Sequence, residues 1–474
     1  MPSADTADPI ITRALDRAAG SRAIPGNQVD LLLDGPVAYP AMLELIARAR
    51  RWIHFENYII RDDATGHRFA DALIARARQG VHVRVLADWL GSIGTGRRFW
   101  HKLRQGGVEV RIFQPPSWEL FRNFVRDHRK LVTADGEEAI AGGLCIGDEW
   151  TGDAARGTAP WRDTAVRVAG PAAAALDQAF ARTWAAAGGA IPADQRAGSP
   201  PERGDAAVRV IAVEPGEARS YRMLQLLAAG AGERLWITDA YLVPPPPLMQ
   251  GLIDAARDGT DVRLLVPGAS DLPFIRNLTR IGYRDLLRAG IKILEWDGPM
   301  LHAKTFVVDG NFGRVGSSNL NASSLLGNYE LDVLVANQEF ATALEAQYRI
   351  DSARSVEITL RPVRAPAPLQ PYLPPGIAKV VRQTVEPDSV GAQRPSPRER
   401  RGRTAVALRT VASAARRSLF AGAVLVLLAV ASLALFLPRV VAAGVGLLSL
   451  YLILAAVAEL FRRRRAQSSA SAGR

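Results

Sequence analysis

Between residues 28 and 363 the spacing of apolar positions switches repeatedly between two periods. "RFADALIARARQG" (68–80) places its apolar residues at helical intervals, and the compact β-like run "VHVRVLAD" (81–88) follows at once. "LMQGLIDAARDGT" (248–260) leads in the same way into "DVRLLVP" (261–267). Helical stretches alternating with short β-rich runs predict an α/β sheet with helices on its faces. The pattern also occurs twice. "WIHFENYII" (52–60) matches "LWITDAYLV" (235–243), "GVHVRVLADWLGS" (80–92) matches "GTDVRLLVPGASD" (259–271), and "GGVEVRIF" (106–113) matches "AGIKILEW" (289–296). Two α/β lobes, 28–198 and 206–363, related by a pseudo-twofold axis are expected. The connection falls in "RAGSPPERG" (196–204), rich in Pro, Ser and charge. Residues 1–25 show no clear pattern.

After residue 363 the pattern changes. Nine Pro fall within 362–397, so 364–418 reads as an extended Pro/Arg-rich linker. Two runs without a charge follow, 419–437 and 440–458, interrupted only by Pro438 and Arg439. Each would span about 28 Å as a helix, close to the hydrocarbon thickness of a bilayer. A two-helix transmembrane anchor over 419–461 is therefore expected. Eight Arg lie between 394 and 417 and four more at 462–465. Both flanks are thus expected on the cytoplasmic side, and the body with them.

Charge reinforces this division. The whole chain carries +12, but residues 394–474 hold 14 Arg and two Glu, which is +12 alone. The remainder has 59 − 14 = 45 basic and 47 − 2 = 45 acidic residues. A neutral body is a poor nucleic-acid binder, so no nucleic-acid partner is expected. Cys145 is the only cysteine, which excludes an intrachain disulfide and a Cys-rich zinc site.

The candidate chemistry lies in the duplication. "HRKLVTADGEEAIAGGLC" (128–145) is rewritten 174 residues later as "HAKTFVVDGNFGRVGSSN" (302–319). On a strand, residues i and i+2 share a face, so His128 stands beside Lys130 and His302 beside Lys304. Gly142-Gly143 and Gly316-Ser317 permit close approach of a ligand to the backbone. Two copies facing each other offer two imidazoles and two ammoniums to a single anion, which suits displacement at a phosphodiester. One neutral His attacks phosphorus and the other protonates the leaving alkoxide, while the lysines balance the charge. Neither a metal nor another cofactor is needed. Asp135 and Asp309 complete each motif as catalytic candidates, although an Asp-Gly pair equally suits a turn or an ion pair. Glu56 with Tyr58, and Asp239 with Tyr241, recur as acid-x-Tyr and fit pocket lining and strand packing equally. His54, His82 and His101 read as scaffold or surface. Trp118 and Phe121 fit a packed loop, with lipid contact as the alternative.

The paired HxK(x4)D motifs resemble those of the phospholipase D superfamily over roughly residues 30–360. "RDHRKLV", "GGLCIGDEW", "PWRDTAVRV" and "LHAKTFVVDGNFGRVGSSNLNASSLLGNYEL" resemble its bacterial cardiolipin synthase branch. The resemblance implies two lobes sharing one active site and a phosphohistidine intermediate. It also implies transfer of a phosphatidyl group between two phosphatidylglycerol molecules, releasing glycerol, at the bacterial inner membrane. By position, His128 would be the nucleophile and His302 the general acid. Lys130, Lys304 and Asn319 would hold phosphate, with Ser317, Gly143 and Cys145 lining the substrate site. Glu330 and its counterpart Asp163 would orient the histidines. Cys145 stands where the first motif usually has Asn, and Ser323 where many members carry Arg. A hydrolytic phospholipase D would use the same residues, and a phosphodiesterase acting on nucleic acid is the more distant alternative.

Overall fold

The computed structural model describes residues 9–115 and 125–360, all within one compact unit, Met1–Val363. The expected linker (364–418), the expected membrane anchor (419–461), Trp118 and Phe121 lie outside the described residues. No helix among the described residues is long and apolar enough to cross a membrane.

The predicted alternation becomes two matching seven-stranded arrays. From its outer edge inward, lobe 1 runs β4 (Glu109–Phe113), β3 (His82–Asp88), β2 (Trp52–Asn57), β5 (Lys130–Ala134), β6 (Glu138–Gly142), β7 (Thr164–Ala169) and β1 (Ile24–Leu33). Lobe 2 repeats the order from the seam outward. Its strands are β8 (Ala206–Val213), β14 (Glu330–Ala336), β13 (Phe312–Gly316), β12 (Thr305–Val308), β9 (Arg234–Thr238), β10 (Asp261–Pro267) and β11 (Lys292–Trp296), with β15 (Ser355–Ile358) added at the edge. The outer three strands of each array, β2-β3-β4 and β9-β10-β11, are parallel, because helices connect them. The arrays join edge to edge where β1 pairs with β8, with Ile24 opposite Val208 and Asn27 opposite Ala206. The result is a single 15-stranded sheet.

The helices follow from local sequence. In α3 (Ala64–Arg78) the carboxylate of Asp63 caps the first turn by accepting from Gly66 N at 2.8 Å. Phe69, Ala70, Leu73 and Ile74 then form a buried stripe. Asn337 caps α10 (Gln338–Ala353) through Phe340 N at 2.9 Å. Helices α2 (Asp34–Arg48) and α3 cover the outer face of lobe 1, while α7 (Arg219–Gly230) and α8 (Pro246–Arg257) cover that of lobe 2. α6 (Pro171–Ala186) and α10 straddle the seam. Their apolar residues share one core with β7, β8 and β14, so the lobes are not separately packed bodies.

The N-terminal segment departs from expectation. Residues 9–19 form helix α1 (Pro9–Ala19), and β1 begins at Ile24. α1 packs on lobe 2, burying Leu15 and Ala19 in that lobe's core, and Asp16 pairs with Arg209 at 3.1 Å. Asp8-Pro9 is a start signal for it, but its apolar stripe is only three turns long, which is why the periodicity alone does not reveal it.

Candidate active site

The carboxyl edges of the parallel strands, where ligands of open α/β sheets bind, lie on the same side as two short cross-lobe contacts. Asp127 bridges Tyr329, and Arg162 bridges Leu301. Through them His128 N donates to Tyr329 O at 2.9 Å, and His302 N donates to Arg162 O at 2.7 Å. Each motif histidine therefore enters its strand fastened to the opposite lobe.

The side chains cross as well. His128 Nδ1 lies 3.0 Å from Glu330 Oε2, and His302 Nδ1 lies 2.7 Å from Asp163 Oδ2. With Nδ1–H donated to a carboxylate, Nε2 keeps its lone pair for chemistry. Glu330 is steadied by the hydroxyls of Ser317 and Ser324. Asp163 is steadied by Trp150 Nε1 at 2.9 Å and Thr164 N at 2.8 Å. Lys130 Nζ donates to His128 O, and Lys304 Nζ to His302 O, so one N–H of each ammonium is fixed and the others remain for an anion. The Tyr58 ring stands 4.8 Å from that of His128, and Tyr241 stands 6.1 Å from His302. Each tyrosine also faces its neighbouring ammonium, at 5.2 and 5.8 Å.

Burial dominates the electrostatics. It lowers the His128 pKa, with Lys130 adding to the effect and Glu330 opposing it. Burial, then Lys304, brings His302 down to about 4. Lys304 itself falls to about 8, through burial partly opposed by Asp163. Burial also works against ionisation of Glu330 and Asp163. The paired histidines and the lysines outweigh it and hold both carboxyls below their usual range. The field of both lysines reaches both imidazoles, so in the empty site the imidazoles are neutral between two cations, an arrangement ready for an anion.

Several expected residues sit elsewhere or do something else. Asp135 and Asp309 are hairpin-turn residues at the far edge, not members of the catalytic group. Each has positive φ (57° and 50°) followed by a positive-φ glycine, the type I′ pattern. Asp135 accepts from the backbone N of Arg50, Arg51 and Trp52, and Asp309 from that of Gly232, Glu233 and Arg234. Their carboxylates lock the start of β2 and β9. Gly143 makes room for Asp163 rather than for substrate. A Cβ there would meet Asp163 Oδ1 at 2.1 Å, and its N–H already serves Thr164 O. The Ser317 hydroxyl, engaged by Glu330 and by Leu331 N at 2.9 Å, orients the carboxylate instead of touching phosphate. Asn319 keeps a buried Oδ1 without a hydrogen-bond partner. Cys145 is fully enclosed in the apolar core of lobe 1, and burial pushes its thiol up even though the Lys130 field reaches it. Tyr58 and Tyr241 line the site, whereas Asp239 holds Leu320 N at 2.8 Å and Tyr241 N at 2.9 Å. Glu56 is buried beside Arg129, and burial brings it up to about 7. His54 is scaffold, bonded to Asp177 at 2.8 Å, while His82 and His101 are exposed.

Two arginines and two tryptophans escaped the sequence analysis. Arg129, the residue inside the first HxK, is fully buried. It donates across the seam to Glu330 O (3.0 Å) and Val213 O (2.9 Å), and within its own lobe to Ala179 O (3.0 Å). Arg162 reaches from lobe 1 to Asp351 at 2.9 Å. Trp150 and Trp161 stand 5.6 and 5.9 Å from the His302 ring. The stretch "PWRDTAVRV" carried the signal for Trp161 and Arg162, but only for the acid was a partner expected.

Comparison with known proteins agrees with this geometry. A family model described as "Cardiolipin synthase, PLD-like domain" matches residues 42–184 and 224–351. The chain is 36% identical to cardiolipin synthase A of Pseudomonas aeruginosa (strain LESB58) over 355 residues, 73% of this chain and 71% of that protein. It is 32% identical to cardiolipin synthase of Alkalihalophilus pseudofirmus, covering 70% and 67%. Among solved structures, phosphatidylserine synthase of Haemophilus influenzae superposes with a TM-score of 0.59 at 15% identity. That match covers 74% of this chain and 92% of the other, and shows a shared fold.

Proposed function

The chain belongs to the cardiolipin synthase family of phospholipase D-like proteins, and from that premise we propose how it acts as a phosphatidyltransferase. It joins two phosphatidylglycerol molecules into cardiolipin and releases glycerol. The observation that supports the proposed mechanism best is the crossed pair of imidazole–carboxylate bonds around two ammoniums. His128 Nε2 attacks the phosphorus of the first phosphatidylglycerol. The bond from phosphorus to the glycerol oxygen breaks, and His302 gives its Nε2 proton to that oxygen. A headgroup hydroxyl of the second phosphatidylglycerol then loses its proton to His302 and attacks phosphorus, which breaks the N–P bond and frees His128. Lys130, Lys304 and the Asn319 amide hold the non-bridging oxygens.

Purified protein given phosphatidylglycerol alone should yield cardiolipin and free glycerol in equal amounts, with a chelator present. Phosphatidic acid as the sole product would instead assign a hydrolase, for which water is the second acceptor at the same residues.

A bound anion cancels the field of the lysines and raises His302 from about 4. Sulfate does not titrate near neutrality, so its binding should take up close to one proton. Its affinity should rise as pH falls from about 8 towards 5, by up to about tenfold per unit below the bound-state pKa. Calorimetry in buffers of different ionisation heat measures this. Affinity independent of pH contradicts an imidazole that gains its proton with the substrate.

The apolar runs 419–437 and 440–458, with arginines on both flanks, support a membrane hairpin that keeps the body on the cytoplasmic side of the bacterial inner membrane. Reporter fusions at both termini are expected to read cytoplasm, and an outside signal from either overturns the hairpin.

A further inference from the structure

We propose that the mouth of the site docks on the surface of an anionic phospholipid bilayer through two apolar lips, Leu90 and Ile93 on lobe 1 and Leu272, Phe274 and Ile281 on lobe 2. The phosphatidyltransferase assignment supplies the reason for such a surface. Eleven large apolar side chains are exposed among the described residues, and these five are 45–75% exposed. They fall on just two segments, which follow β3 and β10. Those strands occupy the same position in the duplicated order. Pseudo-twofold symmetry therefore places an apolar lip on each side of the same carboxyl edge. The second lip continues along helix α9 (Pro273–Arg288), where Phe274 and Ile281 are seven residues apart on one exposed face.

Both lips are attached to the reacting groups. Leu90 N donates to Asp88 Oδ1 at 2.8 Å, and Asp88 Oδ2 accepts from Asp127 N, next to His128, at 3.0 Å. Ser92 Oγ donates to Tyr58 O at 3.2 Å, and the Tyr58 ring stands against His128. In lobe 2 the hydroxyl of Tyr241, whose ring faces His302, donates to Asp271 at 2.8 Å. A lip resting among acyl chains thus holds the imidazoles at the depth of the headgroups. There a diacyl phosphodiester can react without leaving the bilayer.

Charge selects the kind of surface. Arg97 and Arg98 beside the first lip are exposed, and Arg284 follows Ile281 on the α9 face; none of the three has an acidic partner among the described residues. Of the four α9 arginines, Arg280 pairs with Glu295 at 2.5 Å and Arg288 with Asp285 at 3.8 Å, which leaves Arg276 and Arg284 as the helix's excess charge among the described residues, although the body as a whole is neutral. Apolar tips flanked by unpaired arginines match an interface of acyl chains beneath anionic headgroups. A second protein copy seated across both lips would close the mouth that substrate must enter.

The test uses the full chain in vesicles containing phosphatidylglycerol, with a polarity-sensitive fluorophore on Ile93→Cys, Phe274→Cys or Ile281→Cys. Gln79→Cys and Asn311→Cys on the opposite edge are controls, and Cys145 is buried and escapes labelling. Lipids brominated on the acyl chain should quench the three rim labels and neither control, with quenching much reduced in vesicles of phosphatidylcholine alone. Rim labels left open to aqueous iodide would overturn the proposal. So would labels shielded from iodide yet unquenched by brominated lipid, since a second copy or residues 364–474 would then cover the rim. The combined variant Leu90→Ser, Ile93→Ser, Phe274→Ser, Ile281→Ser should keep wild-type turnover of dispersed short-chain phosphatidylglycerol. On vesicles it should lose roughly tenfold, and undiminished vesicle turnover contradicts docking. Quenching is read without turnover. A wild type inert on short-chain phosphatidylglycerol would therefore sink the transferase assignment, while a quenched rim would still uphold the surface.

Discussion

His128→Ala and His302→Ala are each expected to lower cardiolipin synthesis at least ~1000-fold. The reason is that the proposed mechanism passes a single phosphoryl group by both imidazoles in every turnover. His128 is tied to Glu330 and His302 to Asp163 across the seam, so neither lobe holds a complete acid–nucleophile pair. Two independent sites would leave about half the activity in each variant, and that result would sink the shared site. The two variants should also differ from each other. His302→Ala still has a nucleophile and should accumulate a phosphatidyl adduct visible by intact mass, whereas His128→Ala cannot. An adduct only in His128→Ala would exchange the two roles.

The second large effect is expected from the carboxylates. Glu330→Gln and Asp163→Asn keep size and shape but remove the charge that stabilises an imidazolium and fixes its tautomer. Each should reduce kcat about 100-fold with little change in KM. The crossing makes their signatures distinguishable. Asp163 bonds His302, which in the proposed mechanism gives a proton needed only when the leaving group is a poor one. With a p-nitrophenyl phosphodiester, whose leaving group needs no proton, Asp163→Asn should recover most of its first-step rate. Glu330→Gln should not recover, because its defect lies in the nucleophile of the opposite lobe. Equal loss on both substrates in both variants would reduce these carboxylates to packing.

The α/β alternation, the duplication and the motif residues were legible because each follows from periodicity or repeated spacing. Crossing was not. "GNYEL" and "PWRDTAVRV" mark two acids at the head of equivalent strands, but a linear pattern does not say which histidine each faces. That depends on β1 pairing with β8, a contact between edges with no sequence signature beyond apolar residues. The motif aspartates show the opposite failure. Asp135 and Asp309 recur at fixed spacing, which suggests chemistry, yet the repeated requirement is a positive-φ turn and three backbone N–H groups to satisfy. Ser317 and Gly143 occupy equivalent positions in the two copies of the motif. Yet one supplies a hydroxyl to a Glu, and the other vacates space for an Asp. Side-chain length at 330 and 163 decides that, and it becomes visible only once the strands are paired.

Helix α1 has a consequence for the order of events during synthesis. It leaves the ribosome before either lobe, yet Leu15 and Ala19 pack against lobe 2. The Arg209 that meets Asp16 and the α7 residues beside it (219–230) are made roughly 200 residues later. At about 5–20 residues per second that is a wait of roughly 10–40 s. All of lobe 1 can collapse in that time, while the amphipathic helix at its head has no surface to cover. Pulse proteolysis of stalled nascent chains should find residues 9–19 cleavable until residues 206–230 have emerged from the ribosome and protected beyond that length. Closure of this helix would then report that lobe 2 has begun to form, before His302 and Glu330 of the site are made.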